Sequence, residues 1–190
     1  MIKNDYYDRA VADCTAHHAS SKTFSGAFLR RHIHQLRELI DVENLKTVLD
    51  YGCGKALEYT RPVTGTDKLP ETYWGAKVTL FDPCVPQYAA RPQGTFDLVI
   101  GLQVLCWVPR PALAAVIDDM YAYANKGIYI SEQIGNVKKN ILRDQGLTAQ
   151  GSSVEQWHEL VRRPGNGKFC VFADSHQSPG YVQVNLTRLQ

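Results

Sequence analysis

Residues 47–56 read TVLDYGCGKA, and these ten positions decide the fold. A β-branched, apolar run ends in Asp50, after which glycine takes alternate positions, Gly52 and Gly54, ahead of Lys55. The pattern predicts a buried strand, Thr47 to Tyr51, running straight into a tight turn. Glycine tolerates left-handed backbone and lets the main chain come close to a ligand. The N–H groups opening a following helix would then face an anionic part of that ligand. Pro62 and Gly65 limit such a helix to about two turns.

Outward from this stretch the chain alternates strands with helices. KVTLF (77–81) predicts a second strand, ending in Asp82-Pro83, and FDLVIG (96–101) a third with apolar residues on both faces. A carboxylate at Asp82 would sit where it accepts hydrogen bonds from both hydroxyls of a ribose. It lies 28 residues past Gly54, against about 20 in the dinucleotide pattern. An irregular excursion over 60–75, anchored by Tyr73 and Trp74, absorbs the excess. Before the first strand, Leu29, Ile33, Leu36 and Ile40 form one helical stripe, with Ser25 as its cap. Arg30, Arg31, His32, His34 and Arg37 read as its solvated face. After the third strand, Leu113, Val116, Ile117, Met120, Tyr121 and Ala124 form another stripe, closed by Gly127 before a strand from Ile128 to Ser131.

The ends are less patterned. The first 25 residues are polar and mixed, with weak helical periodicity and a His17-His18 pair that reads as exposed. Glu132 to Arg163 is illegible apart from a helix over Ser153 to Val161. PGNG (164–167) is a turn, and two strands, Lys168 to Ala173 and Tyr181 to Leu189, form an antiparallel pair across a longer loop. The whole predicts one α/β domain over 1–190 with residues 1–24 as an N-terminal arm. Its sheet is a Rossmann-like, doubly wound, mostly parallel one with a C-terminal antiparallel strand pair.

Composition narrows the function. At 190 residues, 44% hydrophobic and 21% charged, the chain has the make-up of one ordinary globular domain. A net charge of +2 disfavours a broad nucleic-acid footprint. No apolar run is long enough to span a bilayer, and MIKNDYYDRAVADC lacks the apolar core of a secretory signal. The five cysteines are scattered without a CxxC pair, which predicts structural thiols in a reducing, cytoplasmic compartment and no metal site.

In these stretches the sequence resembles the class I S-adenosylmethionine-dependent methyltransferases. VLDYGCGKA looks like their first motif, LFDP like the acidic ribose-binding motif, and FDLVIGLQVLCWVP like the segment following the central strand. FSG, LDYGCGKALEY, WG and the Asp-Pro pair are similar, more narrowly, to small bacterial and phage methyltransferases of unassigned substrate. The resemblance implies S-adenosylmethionine as cofactor. Asp50, Tyr51, Gly52, Cys53, Gly54 and Lys55 would cradle its methionine moiety and Asp82 its ribose. Pro83 or Cys84 would give apolar contact to the adenine, while Gln103 and Val104 would line the other side. Ala56 replaces the third glycine of the family motif, and Cys106-Trp107 replaces a common Glu-His. Thirteen residues, 83–95, separate Asp82 from the Phe96 strand, which predicts a third strand that is reduced or missing.

Other readings meet specific obstacles. A nicotinamide dehydrogenase wants glycine where Leu57 stands, and no P-loop occurs. The [DN]PP[YF] signature of amino-methylating DNA enzymes is replaced by GLQV, and Pro83-Cys84 follows the wrong strand for a cytosine-enzyme nucleophile. The expected activity is methyl transfer by direct displacement to an unidentified acceptor, a small molecule. The alternative is a non-catalytic S-adenosylmethionine-binding or scaffolding protein. Direct displacement asks the protein mainly to hold nucleophile and methyl in line and to exclude water. A general base is needed only for a protonated acceptor. His158, beside Trp157, and His176 are the candidates, and Tyr6, Tyr7 and Phe24 are placed to act as a lid.

Overall fold

Buried, β-branched runs with apolar residues on both faces must be covered on both sides, and the computed structural model shows how. The structure describes residues 5–19, 24–132, 154–161, 168–174 and 183–188. Among them, six strands form one sheet: β1 (Thr47–Tyr51), β2 (Lys77–Phe81), β3 (Phe96–Leu102), β4 (Ala124–Glu132), β5 (Phe169–Asp174) and β6 (Gln183–Arg188). Their order is β2-β1-β3-β4-β5-β6. The pairs from β2 through β5 are parallel, and β6 runs antiparallel along β5 with Phe169 opposite Arg188.

Alternation along each strand sorts the core into two layers. Leu49, Val99, Ile128 and Ile130 face α4 (Arg110–Tyr123), meeting Val116, Ile117 and Met120. Val48, Leu98, Ile100 and Tyr129 face α2 (Leu29–Val42), meeting Leu29, Ile33, Leu36 and Ile40, the stripe read from the sequence. The period-two pattern thus places a helix on each face, as a covered parallel sheet requires.

Several local expectations are corrected. The first residues form a 14-residue helix, α1 (Asp5–His18), which buries Ala10. Ser25 does not cap α2. Phe28 occupies the cap position without a side-chain bond, and the Leu29 N–H donates to the Gly26 carbonyl. No α-helix follows the glycine turn; the chain makes a four-residue 3-10 turn, Leu57–Thr60, entered through Ala56 at φ 51°. The excursion carries a short helix, α3 (Pro70–Trp74), started by its proline and ended by Gly75. Trp74 does anchor it, buried and donating Nε1–H to the Ile33 carbonyl at 2.9 Å. His32 leaves the solvated face and is wholly buried, with Nδ1 2.8 Å from the Tyr129 hydroxyl. Burial lowers its pKa to about 4. α5 (Val154–Val161) matches the late helix, whereas 133–153, the PGNG turn and the loop over 175–182 lie outside the described residues.

The edge of the sheet is trimmed. Between β2 and β3 the chain makes only a 3-10 turn, Pro86–Tyr88, and β2 is the outermost strand. Along it, the Val78 N–H meets a Glu71 carboxylate oxygen at 3.4 Å and the Asp82 N–H meets the Tyr88 carbonyl at 3.1 Å.

Gly127 does not close α4. The helix ends at Tyr123 and β4 begins at Ala124, so Gly127 lies within the strand. It is there because a Cβ would stand 2.3 Å from the buried ring of Phe169 on β5. Gly127→Ala should destabilise the fold by about 1–3 kcal/mol through overpacking, read as a lower denaturant midpoint at unchanged slope.

Candidate active site

The glycine turn sits at the carboxyl end of β1, the edge where open parallel sheets bind ligands. Gly52 and Gly54 adopt φ of 83° and 59°. A Cβ at Gly52 would lie 2.5 Å from a Val104 methyl, and one at Gly54 would lie 2.5 Å from the Phe24 carbonyl oxygen. Both glycines are therefore demanded by neighbours as well as by backbone conformation.

The amides of this turn are all engaged inside the protein. Those of Gly52 and Cys53 donate to the Phe81 carbonyl, Lys55 to Phe24, Ala56 to Cys53 and Leu57 to Ser25. The Gly54 amide donates to Asp82 Oδ2 at 2.8 Å. No row of free N–H groups is left to cradle an anion, contrary to the expectation from the glycine pattern. The FSG segment explains the difference, since its Phe24 and Ser25 carbonyls take amides that a following helix would have left open.

Three carboxylates organise the surroundings. Asp50, buried at the end of β1, accepts from the Tyr59 hydroxyl at 2.9 Å. Burial raises its pKa to about 7, the Tyr59 bond opposing and the Asp82 charge adding. Asp82 accepts from the Gly54 and Cys84 amides through different oxygens, both at 2.8 Å. The Cys84 thiol bonds to it as well, and since a carboxylate has about four acceptor positions, capacity for a further donor remains. Glu132 was not foreseen. Fully buried at the end of β4, it accepts from the Val104, Leu105 and Cys106 amides at 3.0, 2.7 and 3.2 Å. Burial raises its pKa to about 7 against those bonds. Its only trace in the sequence is an acid ending an apolar strand. Glu132 holds the loop that presses Val104 against Gly52, with Gln103 kept at φ 60°.

These groups surround a cavity of about 380 Å³, within the usual range for small-molecule sites. Asp50, Tyr51, Gly52, Cys53, Gly54, Asp82, Pro83, Gln103 and Val104 all line it. Lys55 does not, its amide being turned to Phe24. His158 lies on α5, and His176 falls outside the described residues. Among the described residues no His, Cys, Asp and Glu group could hold a metal ion.

α1 forms the far wall. Tyr7, Ala10, Val11, Cys14 and His18 line the cavity, whereas Tyr6 is exposed. His18 is thus not the surface residue expected of it. It stacks on Phe24 with centroids 4.5 Å apart, and Phe24 meets Trp107 edge-on at 4.7 Å. Burial first, then Lys55 and His17, lowers the His18 pKa against the pull of Asp82, and its Nδ1 is buried without a partner. Lower down, Tyr7 hydrogen-bonds to Tyr51, whose hydroxyl donates to Asp119 at 2.8 Å. Arg91 pairs with the same Asp119 and lies over the Phe81 and Tyr123 rings. Burial pushes the Tyr7 pKa up to about 12. The arm therefore touches the body of the protein at both ends of the cavity, through non-covalent contacts alone.

A family model described as "Methyltransferase domain" matches residues 19–176. The crystal structure of magnesium protoporphyrin IX methyltransferase from Synechocystis PCC 6803 with bound SAH is similar in fold. It matches with a TM-score of 0.54 over 96% of this chain and 95% of that one, at 16% identity. No curated protein sequence matches the chain.

Asp50 and Glu132 both hold their protons more tightly folded than unfolded. The stabilisation this gives is complete below about pH 4, the range of an unfolded carboxyl. It is lost as pH rises through about 7. Asp50→Asn, which keeps an acceptor for Tyr59, should gain on the parent over that window by up to about 1.4 kcal/mol per pH unit. Urea unfolding between pH 4.5 and 7.5 reads the difference.

Proposed function

We infer, since this chain belongs to the methyltransferase-domain family, that it transfers a methyl group from S-adenosylmethionine to a small acceptor with an apolar body. The donor is a property of the family. The acceptor class and the residue roles that follow are our reading.

The observation that carries it is the pairing of cavity and turn. Two glycines whose Cβ positions are filled by Val104 and Phe24, beside two buried carboxylates, suit a ligand of one ribose with an amino-acid tail. A turn with every amide from Gly52 to Leu57 engaged suits it better than a pyrophosphate, which would need those amides. Asp50 and the turn would hold the methionine end. Asp82, with oxygens still able to accept, would hold the ribose hydroxyls, and Pro83 with Cys84 the adenine face.

When bound, S-adenosylmethionine supplies a methyl already activated on a sulfonium. The protein is then asked to align the acceptor and keep water out. Phe24, Trp107 and His18 form an aromatic roof suited to that task. The enclosing wall from α1, rich in apolar atoms at Tyr7, Ala10 and Val11, supports a compact acceptor over a polymer. Where the acceptor carries a proton, His18 is placed to accept it. It lines the cavity with an unpartnered, buried ring nitrogen and a lowered pKa.

Calorimetry tests the ribose role. Asp82→Ala, folded by circular dichroism, should bind S-adenosylmethionine more weakly by about 1.5–3 kcal/mol, the range for hydrogen bonds to a charged group. Unchanged affinity would refute it. Affinity for the cationic donor should also rise with pH through about 7 as Asp50 ionises, and Asp50→Asn should abolish that rise. Formation of demethylated donor with a panel of small apolar acceptors reads the reaction itself; turnover confined to nucleic acid or protein would overturn the acceptor class.

A further inference from the structure

Three of the five cysteines line the cavity, and two of them, Cys14 on α1 and Cys84 just after β2, hydrogen-bond to each other through their thiols. The other three are placed differently. Cys170 lies in the core of β5, while Cys53 and Cys106 are buried with their sulfurs directed at the Gly54 and Gln103 carbonyls. Cys14 is half-buried and so open to a small reagent.

We propose that Cys14 and Cys84 form a thiol–disulfide modification site, oxidised by a peroxide, whose closure fastens α1 across the cavity and blocks exchange of its ligand. The bond would join positions 70 residues apart in sequence, one on the arm and one on the loop carrying Asp82 and Pro83. Nothing else covalent ties α1 to the sheet among the described residues.

The chemistry follows from the unequal environments of the two sulfurs. The hydrogen bond donated by Cys84 holds the Cys14 thiol below its ordinary pKa, against burial and the charges of Asp82 and Asp13. Cys84 is pushed up by the same bond and by burial. Cys14, half-buried where Cys84 is buried, is the sulfur a peroxide can reach and so the attacking thiolate. Its sulfur attacks one oxygen of hydrogen peroxide; the S–O bond forms and the O–O bond breaks. The departing hydroxide takes a proton to leave as water. The Cys84 sulfur then attacks the sulfenic sulfur, the S–S bond forms, the S–O bond breaks, and a second water carries off the remaining thiol proton. Two thiols are oxidised by two electrons and one peroxide is reduced to two waters.

The full chain, reduced and then treated with a small excess of hydrogen peroxide, should fall from five titratable thiols to three. Peptide mapping should find Cys14 joined to Cys84. Cys14→Ser and Cys84→Ser, each folded by circular dichroism, should both lose the cross-link. The oxidised protein should exchange S-adenosylmethionine at least about tenfold more slowly, the order of effect expected when a binding-competent open state is removed, with dithiothreitol restoring the rate. A cross-link to a different cysteine, sulfinic acid at Cys14 without a cross-link, or a disulfide that leaves exchange unchanged would each overturn the proposal. The thiol count and the peptide pair are read without cofactor, so a protein that bound no S-adenosylmethionine would count against the proposed function and leave this test standing.

Discussion

The structure depends on where the amide protons of Gly52 to Leu57 go. Each is bound by an acceptor of the protein itself, from Phe81, Asp82, Phe24, Cys53 or Ser25. The turn thereby becomes a junction of β1, the end of β2 and the segment leading into α2. A buried amide left open costs about 1–3 kcal/mol, so these partners are tightly constrained. Asp82 is the pivot, binding the Gly54 amide on one side and its own Cys84 amide on the other. The carboxylate read from the sequence as a ligand group is first a bracket between two loops.

Glu132 does for the opposite wall what Asp82 does for the turn. Three consecutive amides converge on it, shaping the loop that sets Val104 over Gly52. Two buried carboxylates therefore fix the two loops between which a ligand lies, each from the end of a strand. Phe24, Ala56 and Gln103 hold left-handed backbone around the same space. Such strain persists only where the surroundings over-determine it, and it gathers at binding sites.

Periodicity made the sheet and its two covering helices legible. Val48, Leu49, Leu98, Val99 and Ile100 are buried on alternate faces, and the stripe from Leu29 to Ile40 meets one of them. The arm escaped because α1 buries no run of large apolar residues. It contacts the body through Ala10, Cys14, a tyrosine tip and a histidine ring, none of which carries a helical signal. The end of α4 was misplaced because Gly127 suggests a helix stop, while its real constraint is the Phe169 ring more than 40 positions onward. Glu132 was invisible for a similar reason: its partners are backbone amides, which no sequence pattern advertises. Of the site, the residues at the strand ends could be read, and of those brought in from α1 only Tyr7 could, by its place ahead of the first motif.

The trimmed sheet edge has a consequence for the protein in a crowded solution. A strand with no outer neighbour is ordinarily a template on which another chain can extend the sheet. β2 is only five residues long, begins with an exposed lysine and is followed directly by Asp82 and a proline. The Val78 amide of the strand is already taken by the Glu71 side chain, and that of Asp82 just beyond it by the Tyr88 carbonyl. What replaces a third strand is therefore a pair of stoppers, one from each flanking segment, that leave an incoming chain too few free donors to add on and propagate.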